Sequence, residues 1–214
     1  MKWSAVPPLW QRCFELAWQA YQEGSNPIAA LVADRNGRIV ATGKSAVRAS
    51  MSDVVVTHNE LAHAEVNALL TLDNRAHDKQ TARGYALYVT LEPCPLCFAS
   101  FYMSDVGTLL YAARDRFGGS TDLMGMTPYL SRKARRIVGP VDGLAGVSIF
   151  LNVYRDLEVG QPLDDPVHAA MAQDYPGAVR AARAIVAEES ETLPVDMAFP
   201  AAFERIVRWL GQHG

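Results

Sequence analysis

The chain has 214 residues, of which 50% are hydrophobic, and this is enough for one sizeable core in one or two domains of ordinary size. A formal net charge of -3 excludes a strong overall attraction for polyanions, so nucleic acid is disfavoured as a bulk partner. No apolar run approaches the roughly 20 residues of a membrane helix, and no signal-peptide core follows Met1, so we expect a cytoplasmic protein.

The first quarter of the chain predicts a helix and then a β-hairpin. Apolar residues recur at helical spacing over residues 9–23. Two short apolar runs, 28–33 and 39–41, flank Asp34-Arg35-Asn36-Gly37, in which the Asn-Gly pair favours a tight turn. Residues 45–59 are polar and aperiodic, which predicts a loop long enough to carry function.

The middle of the chain alternates helices and strands. The periodicity predicts a helix over 62–72, a strand over 85–90, a helix over 94–103 and a strand over 106–112. A helix between two strands makes those strands parallel and covers the sheet with helices on both faces. We therefore expect a three-layer α/β/α architecture of the α/β class.

Two further elements complete the predicted sheet. A helix is expected around residues 129–137, and the apolar run 147–151 is expected to add a fifth strand. The central sheet is therefore predicted to be mixed and to have about five strands.

The pattern changes after Asp156, where helical periodicity continues without a strand signal. Helices are predicted over 166–188 and 201–212, and Tyr175-Pro176-Gly177 should break the first of them. We expect an α/β domain over residues 1–155 and a helical C-terminal extension over 156–214. The extension should cover the mouth of a site or join a subunit interface, because its apolar faces must be buried.

Two short motifs carry metal chemistry, His63-Ala64-Glu65 and Pro93-Cys94-Pro95-Leu96-Cys97. Cys94 and Cys97 stand three residues apart, so both sulfurs can approach one ion from a helical first turn. A helix N-terminus also favours the thiolate that zinc binds. With His63 as third ligand, a tetrahedral zinc ion keeps a fourth position for water, as in catalytic sites. We expect one Zn²⁺ per chain.

Glu65 is the candidate catalytic acid and base. Glu65 follows His63 by two residues, so on a helix the two side chains point in different directions. The Glu65 carboxyl group can then stand beside the fourth position of the metal. Three alternatives stay open at this point: a redox dithiol at Cys94 and Cys97, a histidine that only caps or packs, and a zinc-stabilised interaction protein without catalysis. Cys13, the remaining cysteine, is expected to be an ordinary buried thiol.

These motifs resemble the zinc-dependent cytidine deaminase-like superfamily, whose signature combines His-x-Glu with Pro-Cys-x-x-Cys. The resemblance covers about half the chain, from Phe14 to Gly119. It is most similar to the branch of tRNA-adenosine deaminases and guanine deaminases, as three segments show: Thr90-Leu91-Glu92-Pro93-Cys94, Tyr111-Ala112-Ala113-Arg114-Asp115 and Gly118-Gly119. The segment His63-Ala64-Glu65-Val66-Asn67-Ala68-Leu69 is also similar to deoxycytidylate deaminases.

The resemblance implies a zinc deaminase domain over residues 1–155 and a hydrolytic reaction. His63, Cys94 and Cys97 would bind zinc, and a zinc-bound hydroxide would attack the amine-bearing ring carbon with release of ammonia. Glu65 would carry the proton from the water to the ring and then to the leaving amine. The backbone N–H of Ala64 would anchor the substrate. Family members are commonly homodimers, so a homodimer is expected.

The chain departs from the family where substrate is bound. Pro27-Ile28-Ala29-Ala30 replaces the usual Pro-x-Gly-Ala, which suggests a narrower pocket wall. Ser45 stands where an asparagine commonly binds the base. Asn26 and Asp115 are the candidate replacements for that polar contact, although each is also suited to plain turn or cap chemistry.

Two substrate classes remain for an active enzyme. The acidic balance and the helical extension favour a small nucleobase, nucleoside or related amino-heterocycle. A substrate in tRNA or single-stranded nucleic acid would require the basic segment Arg132-Lys133-Ala134-Arg135-Arg136 to line the site, whereas the bland alternative is a solvated helix face. Which ring is deaminated does not follow from the sequence.

Overall fold

The computed structural model describes residues 1–49, 52–73, 75–188 and 192–213. A single 3-10 turn, Trp3–Ala5, precedes helix α1, Pro8–Gln22. Pro8 occupies the first helical turn, where its missing N–H costs nothing and its fixed φ suits the helix. The predicted first helix is therefore confirmed, and Cys13 is fully buried within it.

The sheet has five strands: β1 Ala29–Ala33, β2 Ile39–Lys44, β3 Ala86–Leu91, β4 Thr108–Ala113 and β5 Arg136–Val138. Their order is β2-β1-β3-β4-β5. The pairs β1–β2 and β1–β3 are antiparallel, whereas β3–β4 and β4–β5 are parallel. The predicted mixed sheet is therefore confirmed. Strands β3 and β4 can be parallel because a helix connects them.

The β1–β2 hairpin closes as its turn residues predict. Gly37 has a φ of +77°, a conformation that favours glycine. The Asp34 carboxylate accepts hydrogen bonds of 2.9 Å from the backbone N–H groups of Asn36 and Arg38. This turn sets the register that brings the end of β2 beside the start of β1.

One face of the sheet carries three helices: α2 Ala64–Leu70, α3 Lys79–Ala82 and α4 Pro95–Met103. The other face carries α1 and α5, Ala145–Glu158. Alternation along β1 produces this arrangement, because Leu31 packs into the core beneath α1 and α5 while Val32 packs into the core beneath α2 and α4. The three-layer α/β/α architecture is confirmed.

Two predicted elements are wrong. Residues 129–133 form turns and bends instead of a helix, residues 134–135 have no regular structure, and residues 136–138 form β5. Ion pairs hold this segment in place, because the Lys133 ammonium and the Arg135 guanidinium lie 3.0 and 2.8 Å from the Asp105 carboxylate. The expected fifth strand over 147–151 lies inside α5. Ten of the 14 residues of α5 are buried, so its apolar run lacks a polar face and imitates a buried strand.

The C-terminal region is helical, with α6 Pro166–Asp174, α7 Pro176–Glu188 and α8 Phe199–His213. Asp165 caps α6 by accepting a hydrogen bond from the Val167 N–H, and the break at Tyr175-Pro176 falls where predicted. Helices α7 and α8 share the core of α1 and α5, as in the stack of Phe150 on Trp209 with ring centroids 5.6 Å apart. The expected division near residue 155 falls within α5 and stays a prediction.

The predicted loop over residues 45–59 lies between β2 and α2. The described residues of the predicted loop 45–59 contain no helix or strand, while Ser50 and Met51 lie outside the described residues. Among the described helices, none combines the length and the apolar character needed to cross a membrane.

Candidate functional site

The two cysteines of the metal motif lie at the start of α4, directly after β3. Cys94 occupies the N-cap position with an extended backbone, Pro95 is the first helical residue, and Cys97 follows within the first turn. The proline suits this position because it has no N–H to leave unpaired. The end of a strand and the start of a helix thus bring the two sulfurs together.

The third motif residue, His63, is the N-cap of α2 and has an extended backbone, with φ of -75° and ψ of 152°. The expectation that His63 lies within the first helical turn is therefore wrong. Glu65 is in that turn and is buried. The change of backbone direction at His63 sends the imidazole toward the cysteines of α4.

The three side chains converge as a zinc site requires. The Nδ1 atom of His63 lies 3.5 Å from the Cys94 sulfur and 3.4 Å from the Cys97 sulfur. All three potential ligand atoms lie within 4.8 Å of one another. A tetrahedral zinc ion, with Zn–S near 2.3 Å and Zn–N near 2.0 Å, separates a bound nitrogen and sulfur by about 3.5 Å. The spacing therefore fits a zinc ion held by these residues.

The pKa values of the two cysteines also favour a bound cation. Hydrogen bonds from Cys97 and from His63 lower the pKa of Cys94 to about 4, which favours the thiolate form that zinc binds. The neighbouring Cys94 sulfur and burial raise the pKa of Cys97, because a second negative charge so close is unfavourable. A divalent cation removes that repulsion.

Glu65 stands beside this cluster with 3% of its surface exposed. Burial raises the pKa of Glu65 to about 7, against the opposing effect of a hydrogen bond with Cys97. A carboxyl group with a pKa near neutrality can both accept and return a proton at ordinary pH. The arrangement thus pairs a metal-binding cluster with a carboxyl group suited to proton transfer.

A pocket with a volume of about 230 Å³ opens over His63, Glu65 and Cys94. Its lining includes every residue that the sequence nominated for substrate contact, namely Asn26, Ser45, Ala64 and Asp115. These four residues come from three loops and one helix start, and the fold brings them to one cavity. Their roles in binding stay predictions.

Asn26 and Ser45 differ in how free their side chains are. The Asn26 side chain makes no hydrogen bond to another described residue, while its backbone carbonyl accepts one of 2.7 Å from Ile28. The Ser45 hydroxyl lies 3.2 Å from the Ser25 hydroxyl, and Ser45 is 4% exposed. Asn26 is therefore the more available polar group of the two.

Asp115 is partly committed to local structure. Its Oδ1 atom accepts hydrogen bonds from the N–H groups of Phe117 and Gly118, at 2.9 and 3.0 Å, which closes a turn rather than capping a helix. Its own N–H donates to Glu92 at 3.1 Å. Asp115 thus shapes the loop after β4 and also lines the pocket.

Glu92 is a pocket residue to which the sequence analysis assigned no role. Its carboxylate accepts hydrogen bonds from Asp115, at 3.1 Å, and from the N–H and hydroxyl of Thr121, the N–H bond being 3.3 Å long. Gly119 passes so close that an added Cβ would lie 2.5 Å from this carboxylate. Glu92 therefore joins the cysteine motif to the loop after β4.

Four further lining residues come from the C-terminal half of the chain: Asn152 and Asp156 of α5 and Val167 and Met171 of α6. The helical extension thus forms part of the pocket wall. The sequence held one indication of Asn152 and Asp156, because polar side chains in a largely apolar segment need hydrogen-bond partners. The strand expected over 147–151 ends before both residues, so the helical spacing that relates them is not apparent.

The basic segment from Arg132 to Arg136 is not a helix face and contributes no residue to the pocket lining. Lys133 and Arg135 are paired with Asp105, and the side chain of Arg132 lies 5.3 Å from the centre of the Tyr129 ring. No lysine or arginine is present among the described residues that line the pocket.

Comparison with known proteins agrees with this site. A tRNA-specific adenosine deaminase of Rickettsia felis is 29% identical over 113 residues, which are 52% of this chain and 73% of the relative. The corresponding enzyme of Agrobacterium fabrum is 35% identical over 94 residues, 44% of this chain and 55% of the relative. The matched region therefore spans between about half and three quarters of these relatives.

Among solved structures, guanine deaminase from Nitrosomonas europaea superposes with a TM-score of 0.52 at 24% identity, over 68% of this chain and 81% of the other, and supports the fold. The family model of the cytidine and deoxycytidylate deaminase zinc-binding region matches residues 7–113, which include the three ligands and Glu65. The resemblance expected from the motifs is confirmed, and the chain belongs to the cytidine and deoxycytidylate deaminase zinc-binding family.

Proposed function

We propose that this protein is a zinc-dependent hydrolytic deaminase of a small nucleobase, nucleoside or related amino-heterocycle. The observation that carries the proposal is the buried Glu65 carboxyl group in the same pocket as His63 and Cys94. A structural zinc site has no use for such a group, whereas a hydrolytic site needs an acid and base there.

His63, Cys94 and Cys97 hold the metal in this proposal. Zinc, when bound, lowers the pKa of a coordinated water and so supplies a nucleophile near neutral pH. Two thiolate ligands offset the charge of the ion and weaken this effect, so the site depends on help from a base. Glu65 is the described residue placed to give it.

Glu65 performs the proton transfers. It takes one proton from the attacking water and delivers it to the ring nitrogen. As the C–N bond breaks, it takes the remaining proton from the hydroxyl group now bound to the ring carbon and gives it to the departing amine, which leaves as ammonia while the carbon keeps the oxygen as a carbonyl. The burial of Glu65 keeps bulk water from competing for these protons. The Ala64 N–H at the start of α2 is expected to orient the ring, since the first N–H groups of a helix have no partner within it.

The pocket itself favours a small substrate. Its volume of about 230 Å³ lies below the range of roughly 300–1,000 Å³ that is typical of drug-sized ligands. Its lining carries acidic and neutral polar groups and, among the described residues, no basic side chain that would bind phosphate. Asn26, Ser45 and Asp115 are the proposed polar contacts, with Asn26 the most available.

The test is ammonia release by zinc-loaded protein from a panel of guanine, adenine, cytosine, their nucleosides and triazines. Glu65→Gln should retain zinc and lose about 10²- to 10⁴-fold in turnover, because it removes the proton carrier. Glu60→Gln is the matched control, since Glu60 is exposed and close in sequence. Unchanged turnover in Glu65→Gln contradicts the mechanism. Zinc retention without ammonia release from any substrate by the unmodified protein favours the inactive, zinc-stabilised alternative.

A second candidate is a deaminase acting on tRNA or single-stranded nucleic acid. The similarity to tRNA-specific adenosine deaminases of Rickettsia felis and Agrobacterium fabrum favours it. The position of the Arg132–Arg136 segment outside the pocket lining weighs against it. A polynucleotide substrate requires affinity that falls steeply with salt, so binding of a tRNA anticodon stem-loop at two salt concentrations separates the two candidates.

We also infer a homodimer in the cytoplasm. The support for the dimer is a groove between α2 and α4, with a volume of about 400 Å³, in which the apolar side chains of Leu70 and Met103 are 56% and 58% exposed. Exposed apolar side chains in one groove are typical of subunit contacts. A sedimentation profile with only monomer at micromolar concentration contradicts the dimer.

A further inference from the structure

The wall that α5 contributes to the pocket has no part in the reaction described above. Asn152 and Asp156 stand four residues apart, so both lie on one face of the helix, and both line the pocket with Glu65. The metal cluster lies at the starts of α2 and α4, on the opposite face of the sheet from α5. The pocket lining thus combines Glu65 from one layer with Asn152 and Asp156 from the other.

Asn152 offers an acceptor to the pocket. Its amide nitrogen donates a hydrogen bond of 2.9 Å to the backbone carbonyl of Ser148, and the Ser148 hydroxyl donates one of 2.6 Å to the Thr90 carbonyl. A carbonyl can only accept, so the Asn152 nitrogen faces Ser148 and the Oδ1 atom faces away. The side chain is 6% exposed, and no described residue donates a hydrogen bond to this oxygen.

Asp156 offers a second acceptor. Its Oδ2 atom lies 3.2 Å from the Nε2 atom of the fully buried His168 on α6. The Nδ1 atom of His168 has no partner among the described residues, and a bare lone pair is cheaper to bury than an N–H group. The Nε2 atom of His168 therefore carries a proton and donates a hydrogen bond to the Oδ2 atom of Asp156, whereas the Oδ1 atom of Asp156 has no donor in the described chain.

The Asp156 side chain is 30% exposed, so its carboxylate is partly withdrawn from water. Desolvation raises the pKa of Asp156, against the opposing effect of His168. The described pocket lining contains no lysine or arginine that would offset the charge, and it includes two further carboxylates beyond Glu65 and Asp156, those of Glu92 and Asp115. A ligand that brings N–H groups, or a positive charge, supplies what this wall lacks.

We propose that Asn152 and Asp156 determine specificity by accepting hydrogen bonds from N–H groups on the ring edge remote from the leaving amine. The substrate class is then an uncharged or cationic heterocycle with at least two N–H donors besides that amine, such as a diamino or amino-oxo ring. This inference rests on the proposed function and narrows it. An N–H donor, unlike a phosphate or a ring carbonyl, complements two acceptors on one helix face.

The test is equilibrium binding by calorimetry to zinc-loaded protein in the Glu65→Gln background, so that turnover does not intervene. The probes are two matched pairs that differ by exocyclic amino groups: 2,6-diaminopurine with adenine, and melamine with 2-amino-1,3,5-triazine. We expect the donor-rich member of at least one pair to bind about 10- to 100-fold more tightly, the range for hydrogen bonds to a charged group.

Asp156→Asn and Asn152→Leu should each reduce that preference about tenfold or more, with zinc content and melting temperature showing that the variants fold. Asp164→Asn is the matched control, because it removes an exposed carboxylate of the neighbouring segment that does not line the pocket. Equal affinity within both pairs, no binding of either donor-rich ring, or a preference that survives in both variants overturns the inference. Ammonia release is measured separately, so failure of the proposed function appears there and not in the binding preference.

Discussion

The guanidinium group of Arg116 donates two hydrogen bonds to the carboxylate of Asp174, each 2.7 Å long. Arg116 lies in the loop after β4, next to the pocket residue Asp115, and Asp174 is the last residue of α6, one turn after the pocket residue Met171. The pair therefore joins two walls of the pocket that are far apart in sequence. Such a two-bond contact fixes direction as well as distance.

Loosening this contact should affect substrate binding more than chemistry. Arg116→Gln removes the paired bonds and lets α6 move relative to the loop, so we expect KM to rise roughly two- to fivefold with kcat little changed. Steady-state ammonia release on the best substrate of the panel measures both. Arg132→Gln, an exposed arginine outside the pocket lining, should change neither. A fall in kcat at constant KM contradicts this role.

The same pair predicts a pH dependence of stability. The hydrogen bond from Arg116 holds the pKa of the Asp174 carboxyl below its usual range. A carboxyl whose pKa is lower in the folded state stabilises the fold above its unfolded pKa, near 3.9, and loses that contribution as the pH falls through the folded pKa. The unmodified protein should melt at a higher temperature than Asp174→Asn at about pH 7. This difference should shrink as the pH falls below about 4. A difference that persists unchanged in acid contradicts the assignment.

Removal of a metal ligand should lower stability together with zinc content. Cys97→Ser should bind little zinc, and its melting temperature should no longer respond to a chelator, whereas the unmodified protein should lose about 4 kcal/mol on chelation if zinc is present at about 1,000 times its Kd. Cys13→Ala is the control, because Cys13 is buried in α1 away from the ligand cluster. Metal analysis and thermal melting check both. Full zinc content in Cys97→Ser contradicts the ligand set.

Gly119 should tolerate no side chain. An added Cβ would lie 2.3 Å from the Asp115 carbonyl oxygen and 2.5 Å from the Glu92 carboxylate, and backbone on one side cannot give way cheaply. Gly119→Ala should therefore destabilise the fold by about 1–3 kcal/mol, the usual cost of overpacking. Gly211→Ala is the control, because no atom lies within 4 Å of its added Cβ, and it should be neutral or stabilising. Denaturant unfolding measures both; equal stabilities contradict the close approach.

Local sequence patterns were sufficient for the hairpin and for most helices. The Asn-Gly turn, the proline starts of α4 and α6 and the helical stripe of α1 each depend on residues close together in the chain. The errors arose where tertiary contacts decided the structure. The run 147–151 is buried on all sides as part of α5, which removes the polar face by which a helix is recognised.

The candidate site divides in the same way. The sequence by itself nominated His63, Cys94 and Cys97 as zinc ligands and Glu65 as the acid and base, because each motif carries its residues at a short spacing near a helix start, while the fold brings the two motifs together. It also nominated Asn26, Ser45, Ala64 and Asp115, all of which line the pocket.

Only the tertiary structure brought Asn152, Asp156 and the carboxylate of Glu92 to the same cavity. Asn152 lies 55 residues after Cys97 in the chain, and no periodicity relates two segments that meet only because α5 packs across the sheet from α4. The chemistry of the reaction is therefore encoded by short-range spacing, whereas the wall that meets the substrate is set by long-range packing.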